Sequence, residues 1–188
     1  MPGVYRTRVG YGGGKGKNPT YHHLMDHTEI VQIDFHPKEI SFAEILDYFG
    51  TFHNPFSKPW SSQYDSLILY SSELQKKLAL AWREKWESEK GQKIHTRIEP
   101  LDKFCWAEDY HQKYFLQRVP PVWKEWKKNF SNIYDFANSY GSMILNSYFG
   151  GFIGSEFFDL LHEFDFSEKV LSFFQKKGWR KTGTDRQP

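Results

Sequence analysis

Two adjacent prolines, Pro120 and Pro121, divide the chain into stretches with different hydrophobic periods. Before them, short alternating runs are interleaved with amphipathic ones. After them, every apolar run has helical spacing. A chain with this pattern folds as a mixed core followed by a helical extension. The expected fold class is therefore α+β, with residues 1–118 as the core and 119–188 as the extension.

The first stretch predicts a strand over Gly3–Val9, opening into a flexible loop at Gly10-Tyr11-Gly12-Gly13-Gly14. Glu29–Phe35 predicts a second strand, with Val31, Ile33 and Phe35 sharing one face. Ser41-Phe42-Ala43-Glu44 is a capping box, in which the Ser hydroxyl and the Glu carboxylate each satisfy a free backbone N–H. The helix behind it carries Ile45, Leu46, Phe49 and Phe52 on one stripe. Ser66–Tyr70 reads as a short buried strand. Glu73–Lys90 reads as a long helix with Leu74, Leu78, Ala81 and Trp82 inward, stopped by Gly91. Ile94, Thr96 and Ile98 alternate as a strand, and Trp106–Gln117 reads as a helix. In the extension, Ser155 and Ser167 are expected N-caps, Gly178 a helix stop, and the tail after Lys181 a frayed end.

Composition excludes several classes. The net charge is +2 over 188 residues, with bases interleaved among acids. Nucleic-acid binding calls for a concentrated basic stripe instead. No apolar run reaches the length of a membrane span, and no signal peptide opens the chain. Cys105 is the only cysteine, so no internal disulfide can form. A reducing compartment, most simply the cytoplasm, is the expectation.

Two local clusters invite a functional reading. The glycine loop has G-x-G spacing after a strand, but Asn18-Pro19-Thr20 follows where a phosphate cradle needs a helix N-terminus, so a surface loop is expected. His22, His23 and His27 lie close to Asp26 and Glu29. Metal binding needs three or four converging ligands, and nothing else in the chain has that spacing, so no metal is expected.

Read together, Gly3-Val4-Tyr5-Arg6-Thr7-Arg8-Val9-Gly10-Tyr11, then Asn18-Pro19-Thr20-Tyr21, then Asp26-His27-Thr28-Glu29 resemble A-type peptide methionine sulfoxide reductases. That family has G-V-x-x-T-x-V-G-Y-x-G-G, then N-P-T-Y, then H-x-E. Three more matches follow in order. Ile40-Ser41-Phe42 with Phe49 and His53-Asn54-Pro55 resembles I-S-[YF]…F…H-[DN]-P. Gln63-Tyr64-Asp65-Ser66 resembles Q-Y-R-S, with Asp65 in place of Arg. Ala107-Glu108-Asp109-Tyr110-His111-Gln112-Lys113-Tyr114 resembles A-E-D-Y-H-Q-x-Y. The resemblance runs from residue 2 to about 118, with shorter loops before Glu29 and before Gln63.

The resemblance implies a ferredoxin-like reductase core and reduction of methionine S-sulfoxide in oxidised proteins or peptides. A thiolate attacks the sulfur while an acid protonates the oxygen, leaving a sulfenic acid and free methionine. By motif, Glu29 is the acid, held neutral by burial in an apolar pocket, and Tyr21 and Tyr64 hydrogen-bond the sulfoxide oxygen. No cofactor is implied beyond an external thiol, a thioredoxin-type donor or dithiothreitol. His27, Glu108 and His111, which lie in the matching motifs, and Cys105, beside the last of them, are secondary candidates.

The family's nucleophile stands in a G-C-F-W motif upstream of P-G-V, and here Met1 immediately precedes Pro2. The expectation is a core lacking its first strand and helix, inactive as given for want of the nucleophilic cysteine, with an exposed sheet edge and apolar face. Cys105 is expected to be a small buried hydrophobe. Two other readings compete. The pocket could hold sulfoxide without reducing it, or residues 119–188 could serve a partner, although packing is the expected use of their aromatics.

Overall fold

In the computed structural model, residues 1–177 are described. Two compact units emerge: Met1–Val4 with Val9–Glu108, and Tyr5–Arg8 with the chain from Asp109 onward. The division falls at Glu108/Asp109, ahead of the 118/119 boundary that the prolines suggest. The reason is local. Helix α3, Tyr114–Gln117, is capped by Asn146 of α6, Tyr140–Phe149, whose Oδ1 accepts from the backbone N–H groups of Phe115 at 2.9 Å and Leu116 at 3.2 Å.

The first unit is mixed. Strands β1 (Val4–Gly12), β2 (Thr28–Phe35) and β5 (Cys105–Trp106) form a sheet in the order β2-β1-β5. Strands β3 (Leu67–Tyr70) and β4 (Arg97–Pro100) form a parallel pair, with Leu67 opposite Arg97 and Ile68 opposite Ile98. β1 runs on through Gly10 and Gly12, where the sequence suggests a loop. At Gly10 glycine is required, because a Cβ would come within 2.4 Å of the Cys105 carbonyl oxygen on the next strand.

Helix α1 (Phe42–Phe52) starts at the capping box, which is fully formed, and buries Ile45, Leu46 and Gly50. Phe52 is 62% exposed, so it does not join the expected stripe. Helix α2 (Glu73–Lys90) has the expected bounds and ends at Gly91 in the left-handed region, φ 62°. Its buried residues are Ala79 and Trp82, while Leu74 is exposed; the inward face is rotated from the expected one. Three aromatics set that rotation. Trp82 packs on Phe49 at 5.8 Å, and Trp86 packs on Trp82 at 5.5 Å while its ring occupies the space over Gly50.

His53 closes this layer. One ring nitrogen bonds the Phe49 carbonyl at 2.8 Å, the other bonds Ser66 Oγ at 2.7 Å, and Ser66 meets Thr96 at 2.7 Å. The H-N-P and Q-Y-x-S motifs are thus tied together by hydrogen bonds. Burial lowers the His53 pKa, and the hydrogen bond to Phe49 opposes that shift.

A groove of about 490 Å³ opens on the first unit. Seven consecutive residues of β2, Glu29 to Phe35, line it, as do Leu67, Ile68 and Leu69 of β3. Consecutive residues point to opposite faces of a strand, so strand edges, not faces, border this groove. Ile45, Leu46 and Phe49 of α1 add an apolar wall. Val31, at 55% exposure, stands open beside it.

The second unit is helical, as the sequence predicts: α4 (Pro120–Trp126), α5 (Ile133–Asn138), α6, α7 (Phe157–Leu160) and α8 (Glu168–Lys177) surround one core. Trp106–Gln117 is not one helix. It is strand, then a 3-10 turn at Asp109–His111, then α3. Lys113, at φ 50°, breaks the run. Ser167 stands at the start of α8, its carbonyl accepting from the backbone N–H groups of Val170 at 2.9 Å and Leu171 at 3.0 Å, and its hydroxyl donates to Glu125 at 2.6 Å. No Ser155 side chain caps α7, whose N-cap is Glu156. The expected stop at Gly178 and the tail after Lys181 lie outside the described residues.

Candidate active site

Glu29 sits at the start of β2, where the loop of the Q-Y-x-S motif is fastened to it. The Glu29 backbone N–H donates to the Gln63 carbonyl at 3.1 Å, and Thr28 Oγ1 donates to the Ser62 carbonyl at 2.8 Å. Two side-chain bonds complete the join. Gln63 Nε2 donates to Glu29 Oε1 at 2.7 Å and lies 3.2 Å from the Tyr64 hydroxyl. Tyr64 is also hydrogen-bonded to Tyr21. The Tyr64 phenol is held above its ordinary pKa by desolvation first, then by the nearby Glu29 charge and by Tyr21. Glu29, Tyr21 and Tyr64 therefore converge, although 8 and 35 residues separate Glu29 from the two tyrosines in the chain.

Glu29 is exposed, which corrects the expectation of an apolar burial site. It lines the open groove, so water reaches it from that side. Tyr21 and Tyr64 are 37% and 47% exposed. Trp60, 82% exposed, tilts against Tyr64 at 5.0 Å and adds an aromatic wall that no motif flags.

Asp65, where the family pattern has Arg, pairs with Arg97 from β4. Arg97 also reaches Glu99 at 2.7 Å and Thr28 Oγ1 at 3.4 Å. Burial works against the Arg97 charge, but the bonds to Asp65 and Glu99 outweigh it and raise its pKa. A guanidinium from a neighbouring strand thus braces the Tyr64 loop against β2.

Glu108 belongs to the same construction. Its carboxylate accepts the Tyr11 hydroxyl at 2.6 Å and the Tyr21 backbone N–H at 2.9 Å, fixing the loop that presents Tyr21. His27 is buried beside this loop, with Nδ1 3.2 Å from the Leu24 carbonyl and 3.4 Å from Asp26. His22 and His23 are exposed. Asp26 accepts from the backbone N–H groups of Lys15 at 2.8 Å and Gly16 at 3.1 Å. Those bonds lower its pKa, and they take the amides with which a glycine loop would hold a phosphate.

Cys105 is half-buried, not fully buried as expected, among Tyr11, Leu24 and Ala107. It pairs opposite Tyr11 on β5, and β1 lies between β5 and β2. At about 4.8 Å per strand step, that puts its backbone two steps from the strand of Glu29. His111 lies in the 3-10 turn of the second unit, its ring tilted against Tyr110 at 4.2 Å.

Comparison with known proteins points to the same family as the motifs. The pattern of the family described as peptide methionine sulfoxide reductase matches residues 1–136. A peptide methionine sulfoxide reductase of Drosophila melanogaster is 47% identical over 117 residues, covering 61% of this chain; the chain spans only 48% of that relative's length. The reductase MsrA of Sulfolobus acidocaldarius is 36% identical over 148 residues, covering 69% of this chain and 84% of the relative. Among solved structures, Mxr1 from Saccharomyces cerevisiae in reduced form superposes with a TM-score of 0.58 at 29% identity, covering 63% of this chain and 73% of that one. Methionine sulfoxide reductase A of Corynebacterium diphtheriae gives 0.55 at 29% identity, covering 64% and 66%. The order of the motifs, the α+β first unit and these matches place the chain in the peptide methionine sulfoxide reductase family.

Proposed function

We propose that the first unit is the sulfoxide-binding and proton-donating part of a peptide-methionine (S)-S-oxide reductase. The convergence of Glu29, Tyr21 and Tyr64 around the Gln63 amide carries this reading. The sulfoxide oxygen accepts from the two phenols, which donate without bringing a full charge. Glu29 then delivers a proton to that oxygen as a thiolate attacks the sulfur. The S–O bond breaks, the oxygen passes to the attacking sulfur as a sulfenic acid, and methionine leaves. Trp60 gives the substrate's methyl and methylene groups an apolar surface.

Cys105 does not supply the thiolate in this scheme, because its strand stands across β1 from β2. The substrates are oxidised proteins or peptides. The reductant is an external thiol of the thioredoxin type, and no organic cofactor or metal takes part. A reducing compartment such as the cytoplasm suits the lone thiol. Among the described residues, no helix is long and apolar enough to cross a membrane.

The exposure of the cluster favours a second reading, in which this chain binds methionine sulfoxide without reducing it. One assay separates the two. The purified chain, with dithiothreitol, is given the S-epimer of an N-acetylated methionine sulfoxide, beside Glu29→Gln and Cys105→Ser variants. Turnover lost in Glu29→Gln and kept in Cys105→Ser would contradict the binding reading and require another thiol. Turnover lost in Cys105→Ser makes Cys105 the nucleophile and overturns its assignment here. No turnover, with calorimetric binding of sulfoxide but not of the matching sulfide, supports the binding role. Failure to tell sulfoxide from sulfide in any assay refutes both.

A further inference from the structure

We propose that Gln63 is the positioning residue that decides which oxygen of Glu29 carries the transferable proton; this rests on the reading of Glu29 as the acid. The amide nitrogen lies 2.7 Å from Glu29 Oε1 and 3.2 Å from the Tyr64 hydroxyl oxygen. An amide NH₂ has two protons to give and no lone pair to accept with. Oε1 and the Tyr64 oxygen are therefore both acceptors toward Gln63. The acid proton of Glu29 is confined to Oε2, and the Tyr64 O–H points elsewhere, toward Tyr21 or an incoming sulfoxide oxygen.

The loop that carries the amide is tied to the strand that carries the acid. Its own backbone carbonyl accepts the Glu29 N–H at 3.1 Å, and the Ser62 carbonyl accepts Thr28 Oγ1 at 2.8 Å. The same two segments are joined by backbone and side chain at once, so the acid and its orienting donor move together.

The arrangement also favours the transfer itself. Before transfer, Gln63 donates to a neutral carboxyl. Afterwards, it donates to a carboxylate, and charge-assisted hydrogen bonds are roughly twice as strong as neutral ones. The bond to Oε1 thus strengthens as the proton leaves Oε2, and only such a gain along the reaction lowers a barrier.

The test uses the full chain with glutamate labelled at the side-chain carboxyl carbon. The Glu29 signal is assigned with Glu29→Gln and followed against pH in the parent, in Gln63→Leu and in Gln63→Glu. If the amide donates to the carboxylate, losing it moves the Glu29 midpoint upward from that of the parent. Gln63→Glu moves it further, because a like charge now faces Oε1. An unchanged midpoint in both variants overturns the proposal and leaves Gln63 a structural residue. A downward midpoint in Gln63→Leu also overturns it, because the amide would then present its oxygen to Glu29 and hold the proton. The function reading is checked apart, by binding of sulfoxide against sulfide to the parent chain. If the midpoint rises while the parent ignores the difference, the Gln63 wiring stands and the reductase reading falls.

Discussion

The core of the second unit and the Glu29 site of the first use their aromatic residues in opposite ways. In that core, the rings bury one another: Phe136, Phe157 and Phe174 are at most 2% exposed, and Tyr148 stacks on Phe157 with centroids 4.0 Å apart. At the Glu29 site, Tyr21, Tyr64 and Trp60 stand in solvent beside an open groove. A region built for packing hides its rings and saturates its contacts. The rings and hydrogen-bonding groups around Glu29 stay uncovered and forgo that burial.

The largest effect that can test this contrast is truncation of the second core. Phe157→Ala is expected to cost about 3–5 kcal/mol, the range for deleting a buried ring, and urea unfolding followed by tryptophan fluorescence reads it. A loss below about 1 kcal/mol would mean that the core is loosely packed and the contrast is overdrawn.

Next comes a pH effect. Lys113 is buried in the second unit, with Nζ 2.6 Å from the Thr7 carbonyl and 3.1 Å from its hydroxyl. Burial, and then the charge of Arg8, push its pKa down to about 7 from 10.5. Between those values the unfolded chain binds the proton and the folded chain does not. Stability gained through this group therefore rises as pH climbs from about 7 toward 10.5, and it is lowest below 7. Lys113→Met should flatten that rise, measured as the difference in unfolding free energy between parent and variant at pH 7 and pH 9.5. A parallel pH dependence in both proteins would show that Lys113 keeps its ordinary value.

A smaller pH effect belongs to the first unit. The His53 pKa is lowered by burial, so protons bind the unfolded chain first. Stability from this group is present above the ordinary histidine value and falls as pH drops through it. His53→Asn should weaken that acid-side loss in thermal melts between pH 7 and pH 5, and an unaltered slope would mean that His53 titrates normally in the fold.

The smallest stability effect is expected at the open site. Trp60→Ala should change unfolding free energy by less than about 0.5 kcal/mol, as for exposed positions in general, while weakening sulfoxide binding measured by calorimetry. A large destabilisation with unchanged binding would turn Trp60 into a packing residue and remove the contrast at its sharpest point.

Much of this was legible in the residues. Ser41 and Glu44 announce a helix start because a capping box is a local, chemically complete unit. The motifs around Tyr21, Glu29 and Tyr64 identify the family. Other features were not legible. Leu74 looked inward and is exposed, because the α2 face is chosen by Trp82 and Trp86 packing on α1, which are long-range contacts. The break at Lys113 was hidden, because its cause is a lysine amine reaching Thr7, 106 residues away in sequence.

The sequence by itself determined the helical extension, the strand and helix start signals near each motif, and which residues match the family's motifs. Those are matters of period, capping and residue type, which nearest neighbours in the chain decide. Only the tertiary structure decided that Glu29 meets water, that Arg97 braces the loop where the family pattern has an arginine at position 65, and that Gln63 stands between acid and phenol. Each of these depends on which strands and loops lie side by side, and that is set by burial and hydrogen bonding summed over the whole unit.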